Sequence, residues 1–378
     1  MIAARRNADP RTGICGFSQI DPGAWDDLFS RARAPHPHYG RHVLGAHRAA
    51  GLLPDDLAFV VVRDGARLDA LLPFRSRRDL SGLGAHVARP FLSPFVTATA
   101  PLVADGPDLA GTLDALVAGL GAASGSGAWR WPLLPVESPA GAGMLAAMRA
   151  AGWQHATVAD FARPVLDRRE SYEAFLSGHP HRSRLKDLRR RARRLAEGGV
   201  LGFETAAGGP RLTALVEAFL DLERAGWKGE AGSAMACRPQ TVALARALFA
   251  ETDGPVGARA DALTLDGRPV AISLALTGNG TATLLKTAFD EGLRTHAPGL
   301  LLEAEIVRAC HETAFADRLD SATLAGSVLE GLYRERETIA EVVALPPGAG
   351  ALSLDRRIRL AHFEHRARET ARRALKRR

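Results

Sequence analysis

Cysteine is scarce in this chain. The three cysteines, Cys15, Cys237 and Cys310, lie far apart among 378 residues. Their number is odd, and none of them belongs to a CxxC pair or a Cys/His cluster. The sequence therefore predicts neither a disulfide framework nor a structural metal site.

Long apolar runs are also missing. No segment approaches the roughly 20 apolar residues that a membrane-spanning helix needs, and residues 1–10 lack the apolar core of a secretory signal. We therefore expect a cytoplasmic protein. Its length, with 46% hydrophobic and 24% charged residues, suits two globular domains of ordinary size.

Several catalytic signatures are absent as well. The chain has no GxSxG, no Walker loop, no HExxH and no GxGxxG before a helix. Serine hydrolase, NTPase, metalloprotease and dehydrogenase functions are therefore unsupported.

The net charge of +7 is concentrated in two segments. Residues 356–378 hold ten Lys/Arg and two acids, and residues 181–198 hold eight Lys/Arg and two acids. The remainder of the chain is mildly acidic. A general nucleic-acid-binding surface is not indicated.

Two hairpin patterns recur about 200 residues apart. Residues 58–74 and 261–276 each consist of an apolar run, an Asp-Gly turn and a second apolar run. In both halves a strand–helix–strand–helix–strand pattern follows, at 91–103, 109–120, 128–134, 140–151 and 154–166, and again at 281–289, 299–313, 318–324, 328–337 and 339–345. The sequence thus predicts a mixed α/β fold with two tandem domains.

The predicted boundaries follow from this repeat. We expect an N-terminal domain at 1–170, a basic connector helix at 171–199, a C-terminal domain at 200–350 and a basic extension at 351–378. The connector has one narrow apolar stripe, and its arginines either form a solvated face or meet phosphates. The extension is either a frayed, partly helical tail or a contact for an anionic membrane surface or an acidic partner.

A strand, loop and apolar helix at 284–303 predict an anion site. The strand and loop lead into the N-terminus of the helix, where free backbone amides and the helix dipole can bind an anionic ligand. We expect the backbone near Ala297, Gly299 and Leu300 to cradle a pyrophosphate, with Arg294 adding charged hydrogen bonds. The alternative is that proline and glycine merely start a core helix here.

Lys286 lies inside the strand that leads to this loop. Simple alternation places Leu284, Lys286 and Ala288 on one face of the sheet, and Asp290 follows on the same face. Because a buried ammonium needs a carboxylate or a ligand, Lys286 forms either a structural ion pair or part of a site.

Further polar residues could face the same cleft. Trp227 and Lys228 stand in a Gly-rich loop after an amphipathic helix, where the indole offers either a ligand surface or a cap on the core. Asp320 follows on the next predicted strand, and Tyr333 lies on the last predicted helix.

Taken in order, three segments resemble the bacterial GNAT-type acetyltransferases called CelD-like, or cellulose-biosynthesis acetyltransferases. They are GWKGEAGS (226–233), KTAFDE (286–291) and APGLLLE (297–303). Residues 182–197, 319–321 and 333–336 are also similar, so the resemblance covers about residues 180–340.

The resemblance implies two tandem GNAT-like domains, as in Fem-type peptidyltransferases. It further implies acyl transfer from acetyl-CoA, or another acyl-CoA, to a small-molecule or glycan-linked amine, in envelope or exopolysaccharide metabolism. GNAT enzymes hold the donor pyrophosphate in an Arg/Gln-x-x-Gly-x-Gly/Ala loop. Residues 294–300 keep the arginine and one glycine but break that pattern, which puts CoA as donor in question.

Site roles follow from this chemistry. Lys286 would position substrate or stabilise charge, and Asp290 or Asp320 would act as a base through water. Arg294, Ala297, Gly299 and Leu300 would bind the donor, and Trp227, Lys228 and Tyr333 the substrate. Two alternatives stay open: an aminoacyl-tRNA-dependent ligase of the Fem type, which the acidic body disfavours, and a non-catalytic accessory protein of polysaccharide synthesis.

Overall fold

The computed structural model describes residues 9–125, 127–349 and 352–375. Its strands are β1 (Thr12–Cys15), β2 (Ala58–Asp64), β3 (Arg67–Arg78), β4 (His86–Pro90), β5 (Leu102–Val103), β6 (Trp129–Pro135), β7 (Gln154–Asp167), β8 (Leu201–Ala206), β9 (Gly257–Leu265), β10 (Arg268–Gly278), β11 (Thr281–Phe289), β12 (Arg318–Asp320) and β13 (Glu335–Leu345).

Its α-helices are α1 (Pro22–Arg31), α2 (Arg41–Ala49), α3 (Leu109–Ala123), α4 (Pro139–Ala150), α5 (Tyr172–Ser177), α6 (Arg182–Ala196), α7 (Gly209–Ala225), α8 (Trp227–Glu230), α9 (Pro239–Leu248), α10 (Pro298–Thr313) and α11 (Leu354–Leu375). None of these described helices combines the length and hydropathy required to cross a bilayer.

The chain divides into two compact units. Of the described residues, those up to Tyr39, Asp55–Phe161 and those from Thr338 onward form the first unit. Gly40–Pro54 and Ala162–Glu337 form the second. The second unit therefore includes α2, where the His42 ring lies 2.9 Å from the Leu248 carbonyl at the end of α9.

The first unit contains a mixed sheet in the order β1-β2-β3-β4-β6-β13. Its neighbouring strands are antiparallel except for β4 and β6, whose parallel pairing is recorded at Ala88 and Trp129. The short β5 pairs with β3.

The second unit repeats this arrangement in the order β8-β9-β10-β11-β12-β7. Here too the fourth and fifth strands, β11 and β12, are parallel and the other pairs are antiparallel. The same succession of strand directions occurs in both units. The predicted mixed α/β fold with two tandem domains is confirmed.

The last strand of each sheet comes from the opposite half of the chain. The end of β7 pairs with β12 in the second unit, where Leu166 is opposite Leu319. In exchange, β13 pairs with β6 in the first unit, where Ile339 is opposite Pro135. Neither half of the sequence thus contains all the strands of one sheet.

Local turn chemistry explains the two hairpins. Asp266 and Gly267 both have positive φ, at 50° and 76°, which is the conformation of a type I′ turn. Gly65 likewise has φ of 60° between β2 and β3. The Asp-Gly signals therefore mark real strand reversals.

Two predicted elements differ in the structure. The strand expected at 91–103 is reduced to Leu102–Val103, because prolines at 90, 94 and 101 lack the N–H that a ladder needs. The helix expected at 328–337 is a 3-10 turn at Val328–Gly331, and β13 already begins at Glu335.

The second unit packs helices on both faces of its sheet. Leu302, Ile306 and Val307 of α10 are fully buried against one face, and Phe219 of α7 is fully buried as well. The apolar stripe of α6 joins the core on the α10 side through Leu185, Leu188 and Leu195. Truncating a leucine in such a core to alanine costs about 2–5 kcal/mol.

The strand exchange predicts how the chain behaves when it is cut between Asp167 and Tyr172. Expressed separately, fragments 1–170 and 171–378 each lack one closing strand, so an edge of β6 or β12 is left unpaired. We expect both fragments to be insoluble or to lack a cooperative thermal transition. Co-expressed, they should co-purify as one folded complex. Two fragments that each melt cooperatively on their own would contradict the exchange.

Candidate functional site

Strand β11 contains a bulge that reverses one side chain. Lys286 is opposite Leu274 on β10, whereas Leu284 is opposite Ala275, so one extra residue stands between them. Lys286 and Leu284 therefore lie on opposite faces of the sheet. Leu284 joins the core beneath α10, and Lys286 faces α7. The expectation that they share a face is wrong.

Strand β11 also separates from its parallel neighbour. The pairing with β12 runs from Thr281 to Thr283, opposite Arg318–Asp320, although β11 continues to Phe289. Beyond Thr283 this ladder stops, and no other strand of the described residues pairs with β11 on that side. Such an edge can bind an extended ligand through main-chain hydrogen bonds.

A carboxylate and two lysines meet on the α7 face. Glu223 of α7 is only 3% exposed, and its Oε1 accepts a hydrogen bond from Lys228 Nζ at 2.9 Å. Lys286 Nζ lies 3.9 Å from the same oxygen. The second carboxylate oxygen accepts from the Met235 amide at 2.8 Å, and Lys228 also reaches the Thr287 carbonyl at 3.4 Å.

Burial dominates the electrostatics of this cluster. It lowers the pKa of Lys286, because the ammonium is largely removed from water. The Glu223 charge opposes this change in pKa, and the neighbouring Lys228 adds to it. With 23% of its side chain still exposed, Lys286 can reach both solvent and a ligand. An amine in this state gives up its proton more readily than an ordinary lysine.

Trp227, the first residue of α8, lines a small cleft together with Glu223 and Lys228 of the cluster. Trp227 is 57% exposed, so its indole does not cap the core. Its amide donates to Glu291 Oε1 at 3.0 Å, which ties α8 to the loop after β11. An adjoining groove, which shares Leu222, Phe289 and Glu291 with this cleft, has a volume of about 420 Å³. Its lining joins an apolar surface to three carboxylates, those of Asp221, Asp290 and Glu291, and to Arg268, which pairs with Asp290.

The two aspartates expected near Lys286 make other contacts. Asp290 caps the following 3-10 helix through the Gly292 amide at 3.0 Å and pairs with Arg268 at 2.5 Å. Asp320 is 1% exposed, lies 3.5 Å from Arg163 and accepts from the Ala322 amide at 2.8 Å. The carboxylate beside Lys286 is instead Glu223, which the sequence places 63 positions earlier.

The loop before α10 uses several of its own amides. The Ala297 amide donates to the Arg294 carbonyl, and those of Leu300 and Leu301 donate to the Ala297 carbonyl, at 3.0–3.1 Å. A Cβ at Gly299 would lie 3.2 Å from the Phe289 ring, so glycine permits close packing there. The Arg294 side chain is exposed. Fewer amides are thus available to an anion than the sequence suggested.

The basic helix α6 lies against this loop. Arg191 donates through Nη1 to the Thr295 carbonyl at 2.8 Å and through Nε to Asp187 at 2.8 Å. Among the described contacts, Lys186, Arg189 and Arg193 of the same helix form no salt bridge, and all three are exposed. These three side chains leave positive charge on the exposed surface of α6, and Arg191 joins that helix to the loop.

A buried carboxyl lies behind β11, on the α10 face. Glu303 is 3% exposed, with its two oxygens 3.5 Å from the Thr287 hydroxyl and 3.4 Å from the Tyr333 hydroxyl. Burial, reinforced by the nearby Asp261 charge, raises the pKa of Glu303 to about 8. Burial also raises the pKa of Tyr333 well above its usual value. Tyr333, expected at the substrate, is fully buried with Glu303.

The sequence contains one signal that points to Glu303. Glu303 falls between Leu302 and Ile306 on the apolar stripe of α10. An acid at such a position must be paired or neutral. Ser273, directly opposite Thr287 and Asp261 on the neighbouring strands, is likewise buried, and its hydroxyl has no hydrogen-bond partner among the described residues.

Residues 182–323 match the family model described as an acetyltransferase (GNAT) domain. The match begins at the first residue of α6 and ends three residues after β12, so it spans α6–α10 and the sheet strands β8–β12. This part of the second unit is thus similar to GNAT acetyltransferase domains. A search of curated proteins found no match.

Solved structures are similar in fold over most of the chain. FemX is 11% identical with a TM-score of 0.55, and the similarity covers 88% of this chain and 96% of the FemX chain. The C-terminal DUF2156 domain of a candidate lysylphosphatidylglycerol synthetase from Agrobacterium fabrum is 14% identical, with a TM-score of 0.53 and coverage of 92% and 96%. A conserved protein of unknown function from Bacteroides thetaiotaomicron is 13% identical, with a TM-score of 0.51 and coverage of 86% and 98%. At these identities the likeness establishes the fold alone.

Glu303 gives the fold a specific pH dependence. Its pKa of about 8 in the folded state exceeds the ordinary value of 4.5. Between these values the unfolded chain releases a proton that the folded chain keeps. Stability therefore falls as pH rises from about 4.5 to about 8, by up to about 1.4 kcal/mol per pH unit.

We expect Glu303→Gln to remove this loss, so that the variant exceeds the wild type in stability at pH 8.5 but not at pH 5. Urea unfolding at both pH values measures the difference. Glu305→Gln, on the same helix but partly exposed and paired with Arg308, serves as the control. An unchanged pH slope in Glu303→Gln would show that the carboxyl is ionised in the folded protein.

Proposed function

We propose that the second unit is an N-acyltransferase that moves an acyl group from the thioester of an acyl-CoA to an amine. The observation that carries this proposal is the bulged strand β11, which parts from β12 and presents Lys286 beside Glu223. The acetyltransferase domain match over the same strands supports it.

The donor fits the open side of β11. An extended chain with two amides, like the arm of CoA, can form main-chain hydrogen bonds with the edge that β12 leaves after Thr283. The phosphates would then lie toward the loop before α10, where the exposed Arg294 and the basic face of α6 supply positive charge. Charged side chains would thus replace part of the amide cradle.

The reaction joins the acceptor nitrogen to the acyl carbon and breaks the carbon–sulfur bond. Negative charge develops on the carbonyl oxygen and then on the departing sulfur. The Lys286 ammonium would stabilise that charge and pass a proton to the thiolate, and it would regain a proton from the attacking nitrogen. A lowered pKa suits this exchange, and Glu223 holds the ammonium in place.

The groove beside Trp227 would receive the acceptor. Leu222 and Phe289 offer apolar contact, and Asp221 and Glu291 attract a protonated amine, whereas Asp290 of the same lining is paired with Arg268. An amine on a small molecule or a glycan fits this lining. The CelD-like resemblance favours an acceptor from envelope or exopolysaccharide metabolism.

A second donor class is favoured by one observation. Arg191 anchors the basic helix α6 to the donor loop, while Ala297, Leu300 and Leu301 keep their amides for the loop itself. This balance suits a large polyanion such as aminoacyl-tRNA better than a compact pyrophosphate. The reaction would then be the same acyl transfer from an ester.

Donor identity can be tested by incubating the full chain with acetyl-CoA, longer acyl-CoAs and desulfo-CoA. We expect a higher melting temperature with the CoA compounds and release of free CoA thiol when a panel of amines is added. Stabilisation by aminoacyl-tRNA, with none by any CoA compound, would replace the leading donor with the second. No effect of either donor would argue for a non-catalytic protein.

Lys286→Met tests the role of the charge while keeping the length of the side chain. Because the ammonium would act on developing charge, we expect kcat/KM to fall by about 10²–10³-fold. Arg308→Met, on the exposed surface of α10 and paired with Glu305, is the control for the loss of a positive charge. Donor binding by thermal shift should remain in Lys286→Met. Full activity of this variant would remove Lys286 from the reaction.

A further inference from the structure

The tip of the β3–β4 hairpin in the first unit presents leucines to solvent. A short 3-10 helix, Leu80–Gly82, forms the tip, and Leu80 is 43% exposed. Leu83 is 63% exposed and has a positive φ of 51°. A glycine or asparagine suits that conformation better than leucine. Neither core packing nor the backbone explains the choice of leucine here.

Helix α11 packs against this tip and carries another exposed apolar residue. Arg357 and Ala361 form part of its buried face. On the opposite face, Arg356, Arg359, Phe363 and Arg366 follow one another at helical spacing, and all are exposed. Phe363 is 66% exposed. The helix thus presents a phenylalanine flanked by arginines to solvent.

A buried arginine ties the tip and the helix together. Arg130 of β6 is inaccessible to solvent and contacts Asp79 at 3.2 Å, Glu341 at 2.5 Å and Glu364 at 2.5 Å. Asp79 caps the 3-10 helix of the tip through the Ser81 amide at 2.7 Å, and Glu364 belongs to α11. The tip and α11 are therefore linked through one buried charge network within the first unit.

We propose that Arg78, Leu80 and Leu83 of the tip and Arg356, Arg359 and Phe363 of α11 together form one surface, the tip–helix surface, which docks on an anionic lipid bilayer. Its three apolar side chains would enter the headgroup region while its arginines meet lipid phosphates. None of the three arginines takes part in a salt bridge among the described residues, so their charge is available. The sequence beyond Arg366 is also basic.

A lipid surface fits these features better than a nucleic acid does. A polyanion would be bound by the arginines alone and would gain nothing from exposed Leu80, Leu83 and Phe363. A bilayer rewards both the apolar and the basic residues. The proposal concerns the first unit and does not depend on acyl transfer in the second.

The test is co-sedimentation of the full chain with phosphatidylcholine vesicles, with and without phosphatidylglycerol. We expect binding only to the vesicles with phosphatidylglycerol, and weaker binding as salt rises. The double variant Leu80→Gln/Leu83→Gln and the single variant Phe363→Gln should each bind about tenfold more weakly. Arg356→Gln/Arg359→Gln should weaken binding on the order of fivefold per arginine.

Ile14→Gln is the matched control, because Ile14 is 52% exposed in the same unit but lies on β1. It should bind like the wild type, and circular dichroism should show every variant to be folded. The proposal is overturned if the wild type ignores anionic vesicles at low salt, including a case in which it binds only tRNA or heparin. It is also overturned if the glutamine variants at Leu80, Leu83 and Phe363 bind as tightly as Ile14→Gln.

Discussion

The exchange of closing strands is the constraint on which the rest of the structure depends. A sheet whose last strand is missing presents an unpaired edge of N–H and C=O groups, which costs free energy and invites aggregation. Here β7 supplies the last strand to the second unit and β13 to the first. Each unit is therefore complete only when both halves of the chain have been made. The parallel pair inside each sheet is held in place by this closing strand.

Within that frame, one extra residue in β11 decides what the second unit can do. Without the bulge, Lys286 would point with Leu284 to the α10 face of the sheet, away from Glu223. With the bulge it points toward Glu223, and its neighbour Thr287 points toward Glu303. The two buried acids Glu223 and Glu303 are thereby separated onto the two faces of a single strand. The cost of interrupting the ladder is confined to the place where the strand leaves β12.

Local features of this arrangement could be predicted from the sequence. Asp266-Gly267 specifies its own turn conformation, and the apolar spacing of 298–313 specifies a helix with one buried stripe. The bulge could not be predicted, because an alternating strand shows no local sign of an inserted residue. The pairing of Glu223 with Lys286 depends on how α7 packs on the sheet, which hydrophobic periodicity does not encode. Tyr333 was placed on a helix that the structure replaces with a 3-10 turn, and its burial followed from that turn.

The two units show how one topology serves different purposes. In the first unit, β4 holds the place that β11 holds in the second, but it has five residues rather than nine and ends at Pro90. Its charged residue Arg89 is committed to Asp79, the same carboxylate that anchors Arg130 and, through it, α11. Strand β4 is too short to offer a long open edge. Its Arg89 side chain is paired with Asp79, so the strand also presents no counterpart of the Lys286 amine. The buried charge network of the first unit therefore fixes a surface, whereas the partly solvated pair Glu223–Lys286 of the second leaves a charge that can respond to a substrate.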